Sequence, residues 1–296
     1  MSQQTVLITG ATAGIGRTTA LHLAAAGYRV IATGRRSQEL DRLRAEAPAG
    51  SELHTQVLDV TSTESIEAAA AEVARLTGGH GLDVLVNNAG FGVMGPVSEL
   101  SDADLRRQYD TNVFGLMAVT RAFLPAMQKR GSGRIINVSS IGGRVTFPFM
   151  GAYNSTKYAL ESLSDAMRYE LAPFGVQVVL VEPGVIRTEF ADTAMGPVTR
   201  FAGTAYGPAI AKAETLRTRM EATAVGPEVV AKAIHRAIAS ASPSARYVAP
   251  RFGHLMLAAL NITPTRLLDW GFRRVSFLTR KELAPVSAPQ PLAAAR

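Results

Sequence analysis

A tyrosine and a lysine four residues apart, Tyr153 and Lys157, are the side chains of this sequence best suited to acid–base chemistry. They fall in the stretch 152–172, whose Ala-rich pattern predicts a helix, so both side chains lie on one helical face. A phenol has a pKa near ~10, and a lysine charge at ~4 Å can lower it by roughly 3 units at an effective dielectric of ~20. The pair is therefore suited to transferring a proton near neutral pH. Taken alone, the same spacing also occurs on amphipathic helices that only pack.

Three glycines near the N-terminus are suited to binding a phosphate. Gly10, Gly14 and Gly16 follow the apolar run 5–9 and lead into a predicted helix, 15–26. Glycines permit a tight turn and bring backbone N–H groups and a helix N-terminus up to a pyrophosphate. The spacing departs from the G-x-G-x-x-G fingerprint, but the strand, the helix and the next strand are all in place. This context favours a dinucleotide site over a simple turn.

The residues after the second predicted strand bear on the choice of cofactor. A NAD site places a carboxylate there to accept from the ribose 2′-OH, whereas this sequence has Arg35 and Arg36 and no acidic residue. A guanidinium can pair with a 2′-phosphate, so we predict NADP(H), with Arg35 as the main donor. Two solvated arginines capping a strand are the alternative. Asp59, after the third strand, is placed to accept from the adenine amino group.

The elements that must position these residues alternate along the chain. Short β-branched runs predict seven strands, at 5–9, 29–33, 53–58, 83–87, 134–139, 176–181 and 246–249. Helices are predicted between them, at 15–26, 37–47, 62–76, 102–128, 152–172 and 227–239. We therefore predict an α/β fold: a Rossmann-type, doubly wound parallel sheet with helices on both faces. Its ligands should bind beyond the carboxyl ends of the strands.

Residues 1–281 are predicted to form one catalytic domain. Within it, 187–224 interrupt the alternation and are expected to be an insertion that covers the substrate. Residues 252–281 are expected to be a C-terminal helical extension, and 282–296, rich in Pro and Ala, a disordered tail. The extension carries arginines among apolar residues, so membrane contact is one interpretation, but packing on its own domain or a neighbouring subunit is favoured.

Composition excludes several classes of function. Hydrophobic residues make up 47% and charged residues 19%, which indicates a globular protein, and the absence of cysteine excludes disulfides, thiolate nucleophiles and iron–sulfur clusters. The five histidines form no ligand-spaced group, so no metal site is predicted. The net charge of +7 is scattered, which favours a surface for an anionic cofactor over nucleic-acid binding. The start of the chain lacks a signal-peptide pattern, and we expect a cytoplasmic protein.

Further motifs follow in order along the chain: Asp59-Val60, Asn87-Asn-Ala-Gly90, Asn112, Ser139-Ser140, the pair Tyr153 and Lys157, and Pro183-Gly-Val-Ile-Arg-Thr188. With the glycine loop they resemble the short-chain dehydrogenase/reductase family from Thr5 to about Ala249, in its compact TGxxxGxG and YxxxK branch. The resemblance implies an oxidoreductase that transfers a hydride between nicotinamide and a carbonyl or alcohol carbon.

The resemblance also implies roles for individual residues. Tyr153 would donate the proton in reduction and accept it in oxidation, while Lys157 would hold the nicotinamide ribose and lower the tyrosine pKa. Ser140, rather than Ser139, would orient the carbonyl oxygen, because it lies thirteen residues before Tyr153. Asn112 would hold a water that links Lys157 to solvent, or else simply kink its helix. The implied cofactor contacts are Gly10, Thr12, Gly14, Ile15, Gly16, Arg35, Asp59, Val60, Asn88, Ala89, Gly90, Tyr153, Lys157, Pro183, Gly184, Ile186 and Thr188.

No motif in the sequence specifies the substrate. The loops 91–96 and 141–150 and the insertion carry Phe, Met and Val, which favours NADPH-dependent reduction of a lipophilic ketone or aldehyde. An oxidative dehydrogenase of steroid-like or retinol-like alcohols and a non-catalytic NADP(H)-binding sensor are the alternatives. A homodimer or homotetramer, paired through the helices 102–128 and 152–172, is expected by resemblance.

Overall fold

A single sheet of seven parallel strands forms the centre of the protein in the computed structural model. The model describes residues 3–283, apart from the side chains at 191–192, 195–197, 213–214, 216 and 220. In the order β3-β2-β1-β4-β5-β6-β7 the strands pair as parallel neighbours. They are β1 (Thr5–Ile8), β2 (Arg29–Gly34), β3 (Leu53–Val57), β4 (Val84–Asn87), β5 (Gly133–Val138), β6 (Val176–Pro183) and β7 (Arg246–Ala249). This confirms the predicted fold class.

Helices cover both faces of this sheet. They are α1 (Gly14–Ala25), α2 (Ser37–Ala45), α3 (Thr63–Leu76), α4 (Asp102–Tyr109), α5 (Leu116–Arg130), α6 (Gly151–Leu171), α7 (Phe190–Met195), α8 (Gly207–Ile210), α9 (Ala213–Ala222), α10 (Glu228–Ala239), α11 (Gly253–Ile262) and α12 (Thr265–Val275). Within residues 3–283, no helix is both long and apolar enough to cross a membrane. The tail predicted to be disordered lies outside the described residues from position 284 onward.

Two apolar clusters hold the layers together, because alternate residues of a strand point to opposite faces of the sheet. Val6 and Ile8 of β1 pack into one cluster with residues of α1 and α10, whereas Leu7 packs into the other with residues of α3, α5 and α6. The strands are thus buried on both faces, as their continuous apolar sequences predict.

The predicted helix 102–128 is interrupted in the structure, which corrects that prediction. A π-helical turn, Asp110–Gly115, separates α4 from α5. Two buried amide side chains explain the interruption: Gln108 and Asn112 both bind the backbone of the segment after β4. Such turns insert one extra residue into a helix and commonly occur at functional sites.

The strand order places a crevice at the carboxyl ends of β1 and β4. The chain runs outward in one direction through β2 and β3, and then returns to continue from β4 in the other direction. Crossovers of opposite sense leave an opening at this point, and ligands of doubly wound sheets bind there. The glycine loop follows β1, and residues 88–90 follow β4.

Candidate active site

Tyr153 and Lys157 lie on consecutive turns near the start of α6 and point into the domain. Both side chains are buried, with 7% and 6% of the residue surface exposed. The Lys157 ammonium donates to the carbonyl oxygen of Val138 at 2.8 Å, at the end of β5. Its Nζ atom is 5.7 Å from the centroid of the Tyr153 ring. The helix therefore presents a phenol and an ammonium side by side, with the ammonium anchored to the sheet.

The acidity of the two groups differs from the sequence-based expectation. Burial raises the pKa of Tyr153 to about 12, and a hydrogen bond with Ser140 opposes that rise only in part. Burial also lowers the pKa of Lys157 to about 8, although the negative charge of Glu161 acts to raise it. The expected lowering of the tyrosine pKa is therefore wrong here, because removal of the phenol from water outweighs the hydrogen bond with Ser140. At neutral pH the phenol carries its proton.

The two neighbouring serines after β5 point in different directions. Ser140 is half-buried, accepts from the backbone N–H of Gly142 at 3.0 Å and contributes the hydrogen bond to Tyr153. Ser139 is 2% exposed and turns its hydroxyl toward Glu161 instead. Of the doublet, Ser140 is the serine that contacts the phenol.

Asn112 lies in the π-helical turn and joins two parts of the site. Its amide accepts from the N–H of Phe91 at 3.1 Å and donates to the carbonyl of Phe91 at 2.9 Å. The same amide nitrogen donates to the Thr156 hydroxyl at 3.2 Å, on the helix that carries Tyr153. Asn112 thus holds the segment after β4 against α6. Its role in a water relay stays a prediction.

The glycine loop is shaped by close backbone contacts. Gly10 and Gly14 have positive φ, at 65° and 50°, where a side chain is strained. A Cβ on Gly16 would lie 2.2 Å from the Gly10 carbonyl oxygen and 2.4 Å from Nδ2 of Asn88. That Asn88 nitrogen donates to the carbonyls of Thr9 and Gly10, both at 3.0 Å. Backbone N–H groups of the loop and of α1 are thereby brought together at the carboxyl end of the sheet.

The rest of the predicted nucleotide contacts surround this loop. Thr12 lies close to the end of β2, because a Cβ on Gly34 would lie 2.5 Å from the Thr12 methyl group. Gly90 lies close to Asn112, because a Cβ on Gly90 would lie 3.2 Å from Asn112 Oδ1. Ile15 is half-buried at the start of α1, and Val60 is buried after β3. Ala89 donates its N–H to the Thr9 hydroxyl at 2.9 Å.

The segment after β6 lies opposite the glycine loop. Pro183 ends β6, and the Gly184 N–H donates to the carbonyl of Ala249 at 2.8 Å. A Cβ on Gly14 would lie 3.1 Å from Thr188, so the two segments nearly touch. A cavity of about 680 Å³ adjoins them and is lined by Gly14, Ile186 and Thr188, among others.

Arg35 and Asp59 lie beyond β2 and β3, as predicted for an adenosine site. Arg35 is exposed. Although partial burial opposes the effect, hydrogen bonds from Thr61 and the charge of Arg35 lower the pKa of Asp59. Arg36 instead pairs with Glu39 at 3.0 Å, and Arg17 pairs with Glu46. Arg35 is therefore the better placed of these cations to meet a 2′-phosphate. The glycine cradle, the cavity and this cation fit a phosphorylated dinucleotide.

A buried group of charged residues behind Lys157 was not predicted from the sequence. Glu161 lies one turn beyond Lys157, and Glu182 lies on β6 with a fully buried side chain. Arg246 of β7 contacts both carboxylates, at 3.1 Å and 3.2 Å, and also Asp165 at 2.7 Å. Burial, and the charge of the neighbouring carboxylate, raise the pKa of Glu161, which Arg246 opposes. In the sequence, only the four-residue spacing of Lys157, Glu161 and Asp165, which places them on one face of a helix, indicates this charged group.

The predicted insertion, residues 187–224, lies against Tyr153. The ring of Phe190, at the start of α7, is 5.2 Å from that of Tyr153 between centroids. A Cβ on Gly92 would lie 2.9 Å from Phe190, and one on Gly95 would lie 2.3 Å from the ring of Phe201. The loop 91–96 thus packs directly on the insertion, and the insertion contacts Tyr153 through Phe190.

Comparison with known proteins gives a consistent result. The family model for short chain dehydrogenases matches residues 4–196. An uncharacterized oxidoreductase of Escherichia coli K12, YbbO, is 38% identical over 267 residues, which cover 90% of this chain and 93% of that protein. The NADPH-dependent 3-dehydrocapnine reductase of Ornithobacterium rhinotracheale is 33% identical, with 89% and 94% covered. A crystal structure of a short-chain dehydrogenase from Streptomyces avermitilis matches with a TM-score of 0.72 at 35% identity, covering 91% of this chain and 96% of that one.

Proposed function

This chain belongs to the short-chain dehydrogenase/reductase family, and we propose that it is an NADPH-dependent reductase of lipophilic ketones and aldehydes. As a member it is an oxidoreductase that acts on an alcohol or a carbonyl group. Members use NAD(H) or NADP(H). The finer statements, on direction, cofactor preference and substrate, rest on the contacts of individual residues.

The placement of the Tyr153 phenol beside Ser140 and Lys157 is the observation that carries the proposed chemistry. A buried phenol whose pKa is raised holds its proton at neutral pH, as a general acid must. Ser140 shares a hydrogen bond with it, so a carbonyl oxygen between the two hydroxyls would accept from both. The same groups would serve the reverse reaction, so the proposed direction, reduction, rests on the relative that is named an NADPH-dependent reductase.

The residues that would hold the cofactor come from the segments after β1, β2, β3 and β6 and from helix α6. The glycine loop and the N-terminus of α1 would receive the pyrophosphate, Arg35 the 2′-phosphate and Asp59 the adenine amino group. Lys157 would donate to the nicotinamide ribose, while Ile186 and Thr188 would contact the carboxamide end. NADPH, when bound, supplies the hydride. The printed name of the Ornithobacterium relative, an NADPH-dependent reductase, supports this preference.

An apolar enclosure beside Tyr153 supports the proposed substrate class. Phe190 lies against the tyrosine with the two rings tilted, and Phe149 lies edge-on to Tyr206 of the insertion, with ring centroids 6.3 Å apart. Val93 and Met94 of the loop after β4 are also buried. We propose that residues 187–224 cover the substrate and that this apolar lining selects a lipophilic carbonyl compound. Residues 1–281 would then act as one catalytic domain.

The test is the loss of NADPH absorbance with a panel of small and bulky ketones, compared for the wild type and Tyr153→Phe. We expect turnover of bulky ketones that the variant loses by a large factor, with NADPH affinity near wild type. Tyr158→Phe is the matched control, because Tyr158 lies on the same helix with 43% of its surface exposed. Turnover that survives in Tyr153→Phe would contradict the mechanism.

The same assay separates the other candidates. Turnover of steroid-like or retinol-like alcohols with NADP⁺, and of no ketone, would show an oxidative dehydrogenase. Binding of NADPH without turnover of any compound would show a sensor. Arg35→Ala should weaken NADPH far more than NADH, whereas Arg42→Ala, an exposed arginine on α2, should affect neither. Equal losses for both cofactors in Arg35→Ala would refute the 2′-phosphate assignment.

A further inference from the structure

Helix α11 has apolar residues on two opposite sides, and only one of them is packed. Leu257 is buried in a small cluster with residues of the loop after β5. On the other side, Leu255 and Ile262 are 77% and 85% exposed, and Phe252 at the N-cap is 61% exposed. These positions are three and seven residues apart, close to one and two helical turns, so they lie on one side of the helix. A helix that is apolar all round is normally buried all round.

Helix α12 continues the exposed apolar surface. It packs through Phe272, whose ring lies 5.7 Å from that of Phe147 in the loop after Ser140. Leu267, Trp270 and Val275 are 56%, 52% and 51% exposed. Together with the exposed residues of α11, they define what we call the C-terminal face: Phe252, Leu255, Ile262, Leu267, Trp270 and Val275. A group of large apolar side chains left exposed in this way points to an interaction site.

Exposed basic residues surround the C-terminal face. They are Arg251, Arg266, Arg273, Arg274, Arg280 and Lys281, six cations against two acidic residues in the segment 251–283, Asp269 and Glu282. Glu282 is paired with Lys212 of the insertion. The guanidinium of Arg274 lies over the Trp270 ring at 4.6 Å, which places a cation beside the exposed indole.

We propose that the C-terminal face lies on an anionic lipid bilayer, with its apolar side chains in the interfacial region and its arginines against the lipid phosphates. Helices in this position combine exposed Trp, Phe and Leu with Lys and Arg, and bind through apolar burial plus attraction to anionic lipids. Charge complementarity favours this occupant over two others. A second copy, related by a twofold axis, would bring the six cations onto their own equivalents. The segment 284–296 has no acidic residue to offer them.

The single tryptophan of the protein makes the proposal directly testable, because Trp270 lies on the C-terminal face. Intrinsic fluorescence of the full chain is recorded with phosphatidylcholine vesicles, with and without phosphatidylglycerol, and with brominated lipid. We expect a blue shift and quenching by brominated lipid with the phosphatidylglycerol vesicles, both reduced by salt. The measurement needs no substrate or cofactor, so it does not depend on the proposed function.

Variants distinguish binding through the C-terminal face from non-specific adhesion of the protein to vesicles. Leu255→Glu and Ile262→Glu should each weaken vesicle binding by roughly tenfold or more, because each removes a buried apolar side chain from the lipid. Phe174→Glu, 47% exposed at the amino end of β6, should bind as the wild type does. Unchanged Trp270 emission with all vesicles would overturn the proposal. A shift that depends on protein concentration alone, and is lost in Leu255→Glu, would show a second copy on the face and would also overturn it.

Discussion

Replacing Arg246 by methionine should destabilise the protein in a manner that depends on pH. Arg246 lies between the buried carboxylates of Glu161 and Glu182, and its side chain is 27% exposed. Arg144 also contacts Glu182, at 3.3 Å, so Glu161 is the carboxylate that would lose its ion-pair partner. Removing one partner of a buried ion pair leaves uncompensated charge, which costs ~3–5 kcal/mol. At ~2 °C per kcal/mol for a chain of this size, Tm should fall by roughly 6–10 °C.

The sign of the pH dependence follows from the two glutamates. Burial raises the pKa of both Glu161 and Glu182 above the ordinary value of 4.5. In the window above that value the folded protein binds more protons than the unfolded chain, so stability falls as pH rises through it. Without Arg246 both pKa values rise further and the window widens. The deficit of Arg246→Met should therefore be small near about pH 5 and full near about pH 8.

Thermal unfolding of both proteins at the two pH values is the assay. Arg168→Met is the matched control, because Arg168 binds the same Asp165 at 2.9 Å but belongs to a half-exposed pair. Exposed pairs contribute ~0–1 kcal/mol, so that variant should lose little stability at either pH. Equal losses for the two arginines, or a loss in Arg246→Met that is independent of pH, would refute the reasoning.

Three further predictions concern the site. Gly16→Ala should weaken NADPH binding by at least about tenfold, because its Cβ would lie 2.2 Å from a loop carbonyl oxygen. Gly203→Ala, with open space around the added Cβ, should leave NADPH binding unchanged, and titration of the cofactor by fluorescence measures both. Lys157→Met should abolish activity yet raise the free energy of unfolding at neutral pH by up to ~3 kcal/mol, because the folded-state pKa of about 8 means that charging the lysine opposes folding. This gain should shrink as pH rises from 8 toward 10.5, so a gain in unfolding free energy that does not change with pH would contradict the prediction. Asn112→Ala should lower the free energy of unfolding by ~1–3 kcal/mol, and with it Tm, because the hydrogen bonds to Phe91 and Thr156 are lost. An unchanged Tm would show that other groups replace these hydrogen bonds.

The sheet could be predicted from the sequence because its signals are local. Continuous apolar runs such as β1 and β6 are buried on both faces, and their period and length distinguish them from the Ala-rich helices between them. Apart from Asn112, the candidate site residues could be located for a related reason: they follow a strand or lie on the first turns of a helix, and the ends of parallel strands meet at one edge.

Other features depend on contacts between distant residues and left no local signal. The π-helical turn forms because Gln108 and Asn112 bind backbone groups of the segment after β4. The pKa of Tyr153 depends on how completely the folded chain removes it from water. Arg246 and Glu161 are far apart in the sequence, and charged residues at such positions are usually solvated.

The crevice between β1 and β4 divides the chain into two parts that can diverge separately. Residues that would hold the adenosine come from the loops after β1, β2 and β3, whereas the substrate would be enclosed by segments after β4, β5 and β6. Exchange of the later segments between relatives would therefore alter which carbonyl compound is accepted while nucleotide choice is inherited unchanged. The protein is in this sense modular, because a fixed adenosine site can be combined with new substrate loops.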